Sequence, residues 1–427
     1  MGYAKGQYGE RRTLIRRGGV YVAVLGVAVM VTVMGMGGLA ASRAIATGLE
    51  AGAEQIKARR AAEAGLAMAR VIMETDPAWR TSRGSGVWFH NMGTGGGQAS
   101  VEVSGENDEG DPVELVVVGA SGTSRHVMKL ELEARVAAAE CLQYAVFAGG
   151  NVSITGATVM PSAAAIGANG SVSAVLSTVS AAVDAGGIVT GGVYLSTTRA
   201  GVAAKTVPEA VRMVGEYVQR GTAIAVSSLP MSSGRRLMRR VLLGPGHNPF
   251  GAANAEGIYV VHAQGEVIEI CDVRIVGTLV LLDPGAGSLV SGSVAWEPME
   301  NTMPALVVRG DLRLELSASA IEEGKKGIGN LNPSGVGYPY PLGASNSTTS
   351  DLFASRIDGL VMVTGRLSVK TSLTARALLA LGDIDIEESL TLAYDPVLRT
   401  SPPPGTMREL MTPAVGGYSQ ALVGGNP

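Results

Sequence analysis

The sequence predicts an α+β protein that is mostly β: a long N-terminal helix, a small antiparallel sheet and then a right-handed parallel β-helix (a solenoid). Three observations lead to this prediction. Residues 18–42 carry no charge, residues 43–76 are rich in helix formers, and most of the remaining chain consists of short apolar runs separated by glycine. The 427 residues include 59 glycines and only 4% aromatic residues. A core of small and β-branched side chains favours stacked strands over a bulky globular interior.

The predicted membrane span is the apolar run at 20–42. As a helix it would be about 34 Å long, and a hydrocarbon core of roughly 30 Å needs about 20 apolar residues. Residues 1–19 form a basic leader with a net charge of +4, while the whole chain carries −3. Because basic residues near a span stay in the cytoplasm, the N-terminus is expected inside and the chain after Arg43 outside the cytoplasm.

Two other interpretations of this run stay open. A cleaved secretory signal has an apolar core of about 7–15 residues before a small-residue cleavage site, and Ala44-Ile45-Ala46 would serve as that site. A buried helix of a soluble enzyme fits less well, because a basic flank and a charge-free core occur together here.

Residues 43–76 are predicted to continue the same helix as an amphipathic segment that ends at Asp76-Pro77. The alternative is a membrane anchor followed by a separate short helix. Residues 78–138 then contain short apolar runs separated by polar, glycine-containing turns, and one of them, MKLELEARV, alternates apolar and charged residues as a half-exposed strand does. They predict a small antiparallel sheet that packs against the helix.

The predicted solenoid covers residues 140–395. Its many short apolar runs with glycine at the corners would each need a neighbouring rung to bury their inner faces. A helical insertion at about 207–221 and a long polar loop at about 322–351 interrupt it, and a Pro/Gly-rich tail at 396–427 is expected to leave the fold as an extended strap. A β-sandwich, which also shows strands at regular spacing, is the alternative.

Signatures of catalysis and of metal binding are scarce. The sequence has no P-loop, no Rossmann glycine fingerprint, no HExxH and no GxSxG. The four histidines are isolated, and a lone histidine in a strand, such as His126 or His262, indicates a structural role. Cys141 and Cys271 are either two separately buried thiols or a disulfide of an oxidising compartment. We expect no enzymatic activity, no cofactor and no metal, and the acidic chain beyond the leader argues against a nucleic-acid partner.

One carboxylate cluster has two interpretations. Asp383, Asp385 and Glu387 alternate in GDIDIEES, so they would project from one face of a strand. On a solenoid wall they could hold Ca²⁺ or serve polysaccharide cleavage. The simpler interpretation, which we favour, is a set of outward carboxylates on a half-exposed strand whose isoleucines face inward.

The run RRGGVYVAVLGVAVMVTVMG, followed by a helix containing AEAGLAMARVIM, resembles the N-terminal segment of PilX-type minor pilins and the related K-type pseudopilins. The resemblance implies that a prepilin peptidase cuts after Gly18 or Gly19 and methylates the new N-terminus, Gly19 or Val20. Major pilins carry Glu at the fifth mature position, where this chain has Ala23 or Val24. Some K-type members share that departure.

The resemblance implies a non-enzymatic subunit of a type IV pilus or of a type II secretion-like filament, anchored by one pass in the inner membrane. Its partners would be other pilin or pseudopilin subunits, the inner-membrane assembly platform and membrane lipid, with a surface glycan or cargo protein bound outside. Gly26, Gly35 and Ala40 would let neighbouring helices approach closely. A membrane-anchored β-helix carbohydrate-active enzyme and a fixed envelope scaffold are the alternatives.

Overall fold

A computed structural model of the chain describes residues 15–76, 79–105, 110–161, 164–333 and 345–423. Most of the predicted basic leader, part of the predicted loop at 322–351 and the last four residues of the tail therefore lie outside the described residues. The chain forms two compact units, Met1–Arg135 with Leu410–Pro427, and Val136–Glu409.

The structure describes four α-helices, which are α1 (Ile15–Thr75), α2 (Trp79–Ser82), α3 (Ala210–Arg220) and α4 (Val397–Thr400). Helix α1 is unbroken over 61 residues. The apolar run and the segment after it therefore form one helix, and not an anchor followed by a separate short helix. Helix α3 lies within the stretch where the sequence predicts a helical insertion.

The strands, in chain order, are β1 (Gly86–Gly93), β2 (Gln98–Gly105), β3 (Val113–Ser121), β4 (Ser124–Ala138), β5 (Tyr144–Ala148), β6 (Val152–Thr155), β7 (Thr158–Pro161), β8 (Ala165–Ala168), β9 (Val172–Val179), β10 (Val183–Ala185), β11 (Val189–Tyr194), β12 (Thr198–Arg199), β13 (Thr222–Ile224), β14 (Met231–Ser232), β15 (Arg235–Arg239), β16 (Leu242–Leu243), β17 (Ile258–His262), β18 (Ile268–Val276), β19 (Thr278–Leu282), β20 (Leu289–Glu297), β21 (Pro304–Arg309), β22 (Leu312–Leu316), β23 (Ile321–Glu322), β24 (Leu352–Phe353), β25 (Arg356–Val363), β26 (Leu367–Val369), β27 (Leu373–Ala380), β28 (Ile384–Ile386), β29 (Leu390–Leu392) and β30 (Met407–Val423).

The first unit contains a five-stranded sheet in the order β1-β2-β3-β4-β30, and strands β1 to β4 pair in antiparallel fashion. Its residues alternate along β3 between buried and half-buried, because α1 covers only one face of the sheet. The helix approaches the backbone of β3 closely at Gly119, where a Cβ atom would collide with the carbonyl oxygen of Ala58. Glycine at that position therefore sets how near the helix can lie.

The tail at 396–427 does not leave the fold as an extended strap, and that prediction is wrong. It forms α4 and then β30, which lies at the edge of the five-stranded sheet beside β4. Met411 in β30 is buried in the core of the first unit. The prolines at 402–404 precede β30, and Pro413 lies in an edge strand, where a missing N–H is tolerated.

The second unit contains a 23-stranded sheet. Apart from the antiparallel hairpin β14–β15, its described pairings are parallel and fall into three ladders, in which the longer strands contribute to two. The ladders are A (β13-β17-β19-β21-β25-β27-β5-β8-β10-β12), B (β15-β18-β20-β22-β26-β28-β6-β9-β11) and C (β16-β18-β20-β25-β27-β29-β7-β9-β11).

The order of strands in the ladders is not the order of the chain. Strands β27, β28 and β29 pair with β5, β6 and β7, so that Leu378 lies opposite Val146 and Ile384 opposite Val152. The last rung of the unit therefore stacks on its first rung, at a junction that we call the seam. Residues 200–221, which include α3, connect β12 at one end of the stack to β13 at the other.

Ladder A is buried on both of its faces. Leu279 and Leu281 of β19 join the inner core, whereas Val280 between them packs in a second cluster with Met213 and Tyr217 of α3. Because both faces are covered, β19 and β21 are apolar without alternation. The strands of ladder B, such as β6 and β28, alternate instead.

The coarse prediction of the fold is confirmed: a long N-terminal helix precedes a mostly β chain that contains a large parallel sheet. The alternative of a β-sandwich does not fit, because sandwich strands pair antiparallel and these ladders are parallel. Cys141 and Cys271 are free and buried, which agrees with two separate thiols and not with a disulfide.

Candidate functional site

The first half of α1 is an exposed apolar surface. Every residue from Gly19 to Glu50 is exposed, including large side chains such as Leu25 at 70% and Met34 at 69%. Contiguous apolar surface of this extent marks a site of contact with membrane or protein. By its length and composition, α1 is able to cross a membrane.

The small residues predicted for helix packing lie on this exposed surface. A Cβ atom added at Gly26 or Gly35 would meet no atom within 4 Å, and Ala40 is exposed. Gly18, Gly19 and Val20, the candidate cleavage positions, lie in the first turns of α1.

The carboxylates of the cluster predicted in GDIDIEES each face a cation. Asp383 accepts from Arg366 Nη2 at 3.1 Å, and Asp385 lies 3.7 Å from Arg366 Nε. Glu387 pairs with Lys370. The intervening Ile384 and Ile386 are fully buried, so the carboxylates lie on the outward face of β28.

Asp383 has a second partner across the seam, because the backbone N–H of Asn151 donates to its Oδ1 at 2.8 Å. This hydrogen bond, together with Arg366, lowers the pKa of Asp383, and the lowering outweighs burial, which acts in the opposite direction. Asp383 is therefore held ionised by a backbone N–H and a guanidinium of the protein itself. Within the described ranges no group of three or more His, Cys, Asp or Glu side chains could hold a metal ion.

Asp383 belongs to a row of side chains that link successive rungs at the turn between ladders A and B. Asp311 Oδ1 accepts from the backbone N–H of Arg366 at 2.8 Å, and Asn151 Oδ1 accepts from that of Ser171 at 2.9 Å. Asp311, Asp383 and Asn151 thus each bond the backbone of the following rung, Arg366 is linked to Asp383 through their side chains, and the row crosses the seam between Asp383 and Asn151.

Sequence reasoning missed this row, although a signal for it exists. The pattern of glycine, a polar residue, and then apolar residues at alternate positions recurs at 150–154 (GNVSI), 170–174 (GSVSA), 310–314 (GDLRL) and 382–386 (GDIDI). The glycine has a steric reason: a Cβ atom at Gly170 would stand 2.5 Å from Asn151 Oδ1.

A cavity of about 210 Å³ lies beside the buried ion pair of Arg274 and Glu297. Their exposed fractions are 1% and 6%, and Arg274 Nη2 lies 2.9 Å from Glu297 Oε1. The same guanidinium stacks on the ring of Phe353 at 4.3 Å and donates to the carbonyl oxygen of Leu331. Arg274 of strand β18 therefore contacts Leu331, which lies in the loop predicted at 322–351, and Phe353, which lies just after it.

The two histidines that the sequence places in strands lie in different units. His126 is buried in β4 of the first unit, whereas His262 is exposed at the end of β17 in the second.

No protein-family model and no curated protein matches the chain. Among solved structures, a match is the competence-associated pilin ComZ from Thermus thermophilus, with 11% sequence identity over 86% of this chain and 98% of that chain. Its TM-score is 0.26, which is too low to establish a common fold.

The structure therefore places the predicted residues in two separate surfaces. Gly19, Val20, Gly26, Gly35 and Ala40 are exposed on α1, Gly18 lies in the first turn of that helix, and Asp383, Asp385 and Glu387 lie on the outward face of the parallel sheet. The first surface suits contact with apolar partners, and the second supports the stacking of rungs.

Proposed function

We propose that this chain is a pilin-like, non-enzymatic structural subunit of a type IV pilus or of a type II secretion-like filament. The observation that carries the proposal is the division of α1 into two halves. Residues 19–42 of the helix are uncharged and exposed, while Ala58, Ala62 and Ala69 of its second half are buried against the sheet. One rigid helix thus joins a membrane-compatible anchor to a folded unit.

The finer elements of the proposal rest on the sequence. The basic leader predicts a cytoplasmic N-terminus with the two units outside the inner membrane. The resemblance to PilX-type minor pilins and K-type pseudopilins implies cleavage after Gly18 or Gly19. We further propose that the three ladders coil as a right-handed β-solenoid, since each strand stacks on parallel neighbours one rung away. Its outer walls would serve assembly or adhesion, with a surface glycan or cargo protein as partner.

The carbohydrate-active enzyme is the less favoured alternative. Glycoside cleavage needs a carboxylic acid and a carboxylate free to act on the substrate. Asp383 is instead held by Arg366 and Asn151, and Glu387 by Lys370. These contacts support a structural role for the cluster.

The mass of the N-terminal peptide of the protein recovered from cells tests the proposal. We expect a chain that starts at Gly19 or Val20 and carries one added methyl group. An intact leader would leave a fixed membrane-anchored scaffold and rule out filament incorporation. A start near Thr47 would indicate ordinary secretion and favour the enzyme.

A matched pair of variants sharpens this test. Replacing both Gly18 and Gly19 with leucine should retain the leader, because the residues at the cleavage position are changed. The control is Gly26→Leu, which changes the same residue type deeper in the same helix and should leave the N-terminal mass unaltered. Equal processing of the two variants would show that the cut falls elsewhere.

A further inference from the structure

A cavity of about 610 Å³ lies in the first unit, between α1 and the part of the sheet formed by β4 and β30. Volumes of roughly 300–1,000 Å³ are typical of sites for small molecules. The helical residues that line it recur at i, i+3, i+4 and i+7, so they form one stripe of the helix surface. The described lining residues are Gly52, Gln55, Ile56 and Arg59 of α1, His126 of β4 and Gln420 of β30.

His126 lacks the contacts that a structural histidine needs. The residue is 5% exposed, and Met128 and Leu130, on the same face of β4, belong to the core of the first unit. Neither of its ring nitrogens has a hydrogen-bond partner in the described part of the chain. An imidazole carries at least one N–H, and a buried donor that is left unpaired destabilises the fold. The cavity beside the ring is where a partner from outside the chain can enter.

The charge along the cavity determines the kind of partner. Among the described residues that line it, Arg59 is the only charged one. Its Nε donates to Glu63 at 2.9 Å, which leaves its two terminal nitrogens without a described partner. Arg59 and His126 therefore both offer N–H donors and need an acceptor.

A carboxylate meets this need better than a phosphate does. Its two oxygens match the fork of a guanidinium, and its single charge is balanced by one arginine. A phosphate monoester would bring about −1.5 to −2 charges to a cation that Glu63 already neutralises in part.

We propose that this cavity binds a small organic carboxylate with an apolar body, whose carboxylate is held by Arg59 and His126. The apolar body lies against Ile56 and in the space at Gly52, where an added Cβ atom would meet no atom within 4 Å. Both nitrogens of His126 are covered in the free protein, so the ring turns about its soft χ2 torsion to meet the ligand. This inference goes beyond the proposed function and does not depend on leader cleavage.

The position of the cavity along α1 favours a soluble carboxylate over an anionic lipid. Gly52, the lining residue nearest to the apolar run, lies ten residues after Ser42. That is about 15 Å of helix, whereas the headgroup layer on each side of a bilayer is roughly 5–8 Å thick. With the predicted span at 20–42 in the membrane, the headgroups end short of the cavity.

NMR of the full chain in nonionic detergent micelles, with 15N-labelled histidine, is the first test. Benzoate should shift the His126 ring signals saturably in the millimolar range, and uncharged benzamide, which has the same size, should bind at least about tenfold more weakly. The signals are identified by their loss in His126→Leu. If benzoate and hexanoate both leave them unmoved, or if benzamide binds equally well, the proposal is wrong. A response to bicelles of phosphatidylglycerol, but not to benzoate, would identify a lipid anion and also contradict it.

A matched pair of arginine variants tests the charge. Arg59→Gln removes the cation of the cavity and should weaken benzoate binding on the order of tenfold. Arg60→Gln is the control, because Arg60 is the next residue of the same helix, is also exposed and does not line the cavity. It should bind benzoate as the parent chain does. Equal weakening in both variants would show that overall charge, and not this cavity, attracts the anion.

A second matched pair tests the place of binding. Gly52→Leu fills the cavity from α1, and Gly48→Leu makes the same change one turn earlier. A Cβ atom at either glycine would meet no atom within 4 Å, so both variants should fold. Only Gly52→Leu should abolish the saturable shift of the His126 signals. If it binds benzoate as well as Gly48→Leu does, the ligand lies elsewhere.

His126→Leu distinguishes a binding histidine from a structural one. Because it removes an unpaired buried polar group, the free variant should be at least as stable as the parent chain, as measured by hydrogen exchange of β4 peptides. Benzoate binding, followed on the proton signals of the ligand itself, should still weaken on the order of tenfold. Lower stability with unchanged binding would mean that His126 only packs in the core, and the proposal would fail.

Discussion

The antiparallel sheet of the first unit and the parallel sheet of the second use the same residue types in different ways. In β3, Val117 is fully buried while Val116 beside it is only half-buried. In β19, Leu279, Val280 and Leu281 are all buried. The difference lies in what covers the second face: α1 covers one face of the first sheet, whereas ladder A has the inner core on one side and α3 on the other.

Being covered on both faces changes what a substitution costs. In the antiparallel sheet, every second position remains in contact with water and tolerates polar atoms. In ladder A and its surroundings, each polar or charged group must find a partner inside the protein. The contrast predicts that matched substitutions destabilise the second unit more than the first. Native-state hydrogen exchange on the full chain in detergent resolves the two units peptide by peptide.

The largest expected effect is at the buried ion pair. Arg274→Met leaves the carboxylate of Glu297 buried and uncompensated, and breaking such a pair costs about 3–5 kcal/mol. The opening free energy of peptides from β18 and β20 should fall by that amount. The control is Lys129→Met in the antiparallel sheet, whose pair with Glu114 is exposed and is worth about 0–1 kcal/mol.

A double substitution separates the ion pair from packing. Arg274→Met with Glu297→Leu removes both charges and should regain most of the lost stability, since well-packed apolar pairs often equal a buried ion pair. If the double variant is no more stable than the single one, the contacts of Arg274 with Phe353 and Leu331 matter more than its charge.

A smaller effect is expected from Val→Thr at two strand positions, one in each sheet, that differ in how much of the side chain is covered. Val280→Thr buries a hydroxyl among the apolar side chains beneath α3 and should cost about 1–3 kcal/mol. Val116→Thr places the same hydroxyl on the half-exposed face of β3, where the change should stay within about 0.5 kcal/mol. Equal costs at both positions would mean that α3 does not seal the outer face of ladder A.

This contrast also explains which elements of the fold could be predicted from the sequence alone. The charge-free run and the helix formers after it predict α1, and the alternation of MKLELEARV predicts an antiparallel sheet, because both signals are local. The continuous runs of β19 and β21 indicate strands covered on both faces. The partner of such a run is not a local property, since any apolar parallel strand could stack on any other.

The seam shows where prediction stops. Leu378 and Val146 lie opposite each other although they are 232 positions apart, and nothing in either strand distinguishes that neighbour from the next rung in sequence.

The contacts of the candidate site could not be predicted from the sequence for the same reason. The alternation of Asp383 and Asp385 is visible in the sequence. Asn151, which donates hydrogen bonds to Asp383, is identified as its partner only once the pairing across the seam is known. β30 was missed because prolines precede it.

Asn151→Ala is the prediction that tests the seam. It removes the acceptor for the backbone N–H of Ser171 and a donor to Asp383, and should cost about 1 kcal/mol. Ser100→Ala in β2 removes a comparable acceptor, bonded by the backbone N–H of Asn91, within the antiparallel pair β1–β2, and its effect should be confined to those two strands. Faster exchange should appear in β5 to β7 and in β27 to β29 together. If only β5 to β7 respond, the seam is not a cooperative contact.

The smallest expected effect is a dependence on pH at Asp184. Burial would raise the pKa of this carboxyl, but hydrogen bonds from Arg199 and Tyr144 outweigh it and hold the pKa below the ordinary value. A carboxyl whose pKa is lower in the folded state stabilises the fold above its ordinary pKa, near 4, and loses that contribution as the pH falls through the lowered value. The stability of the second unit should therefore decline below about pH 4.

The variant Asp184→Asn isolates this contribution from that of the other carboxylates. It lacks the ionised group at every pH, so at neutral pH it should be less stable than the parent chain. The two stabilities, measured from the exchange of β8 and β10 peptides, should converge as the pH is lowered, because the parent then carries a protonated Asp184. A difference that stays constant from neutral to acid pH would mean that Asp184 acts through shape and hydrogen bonding and not through its charge.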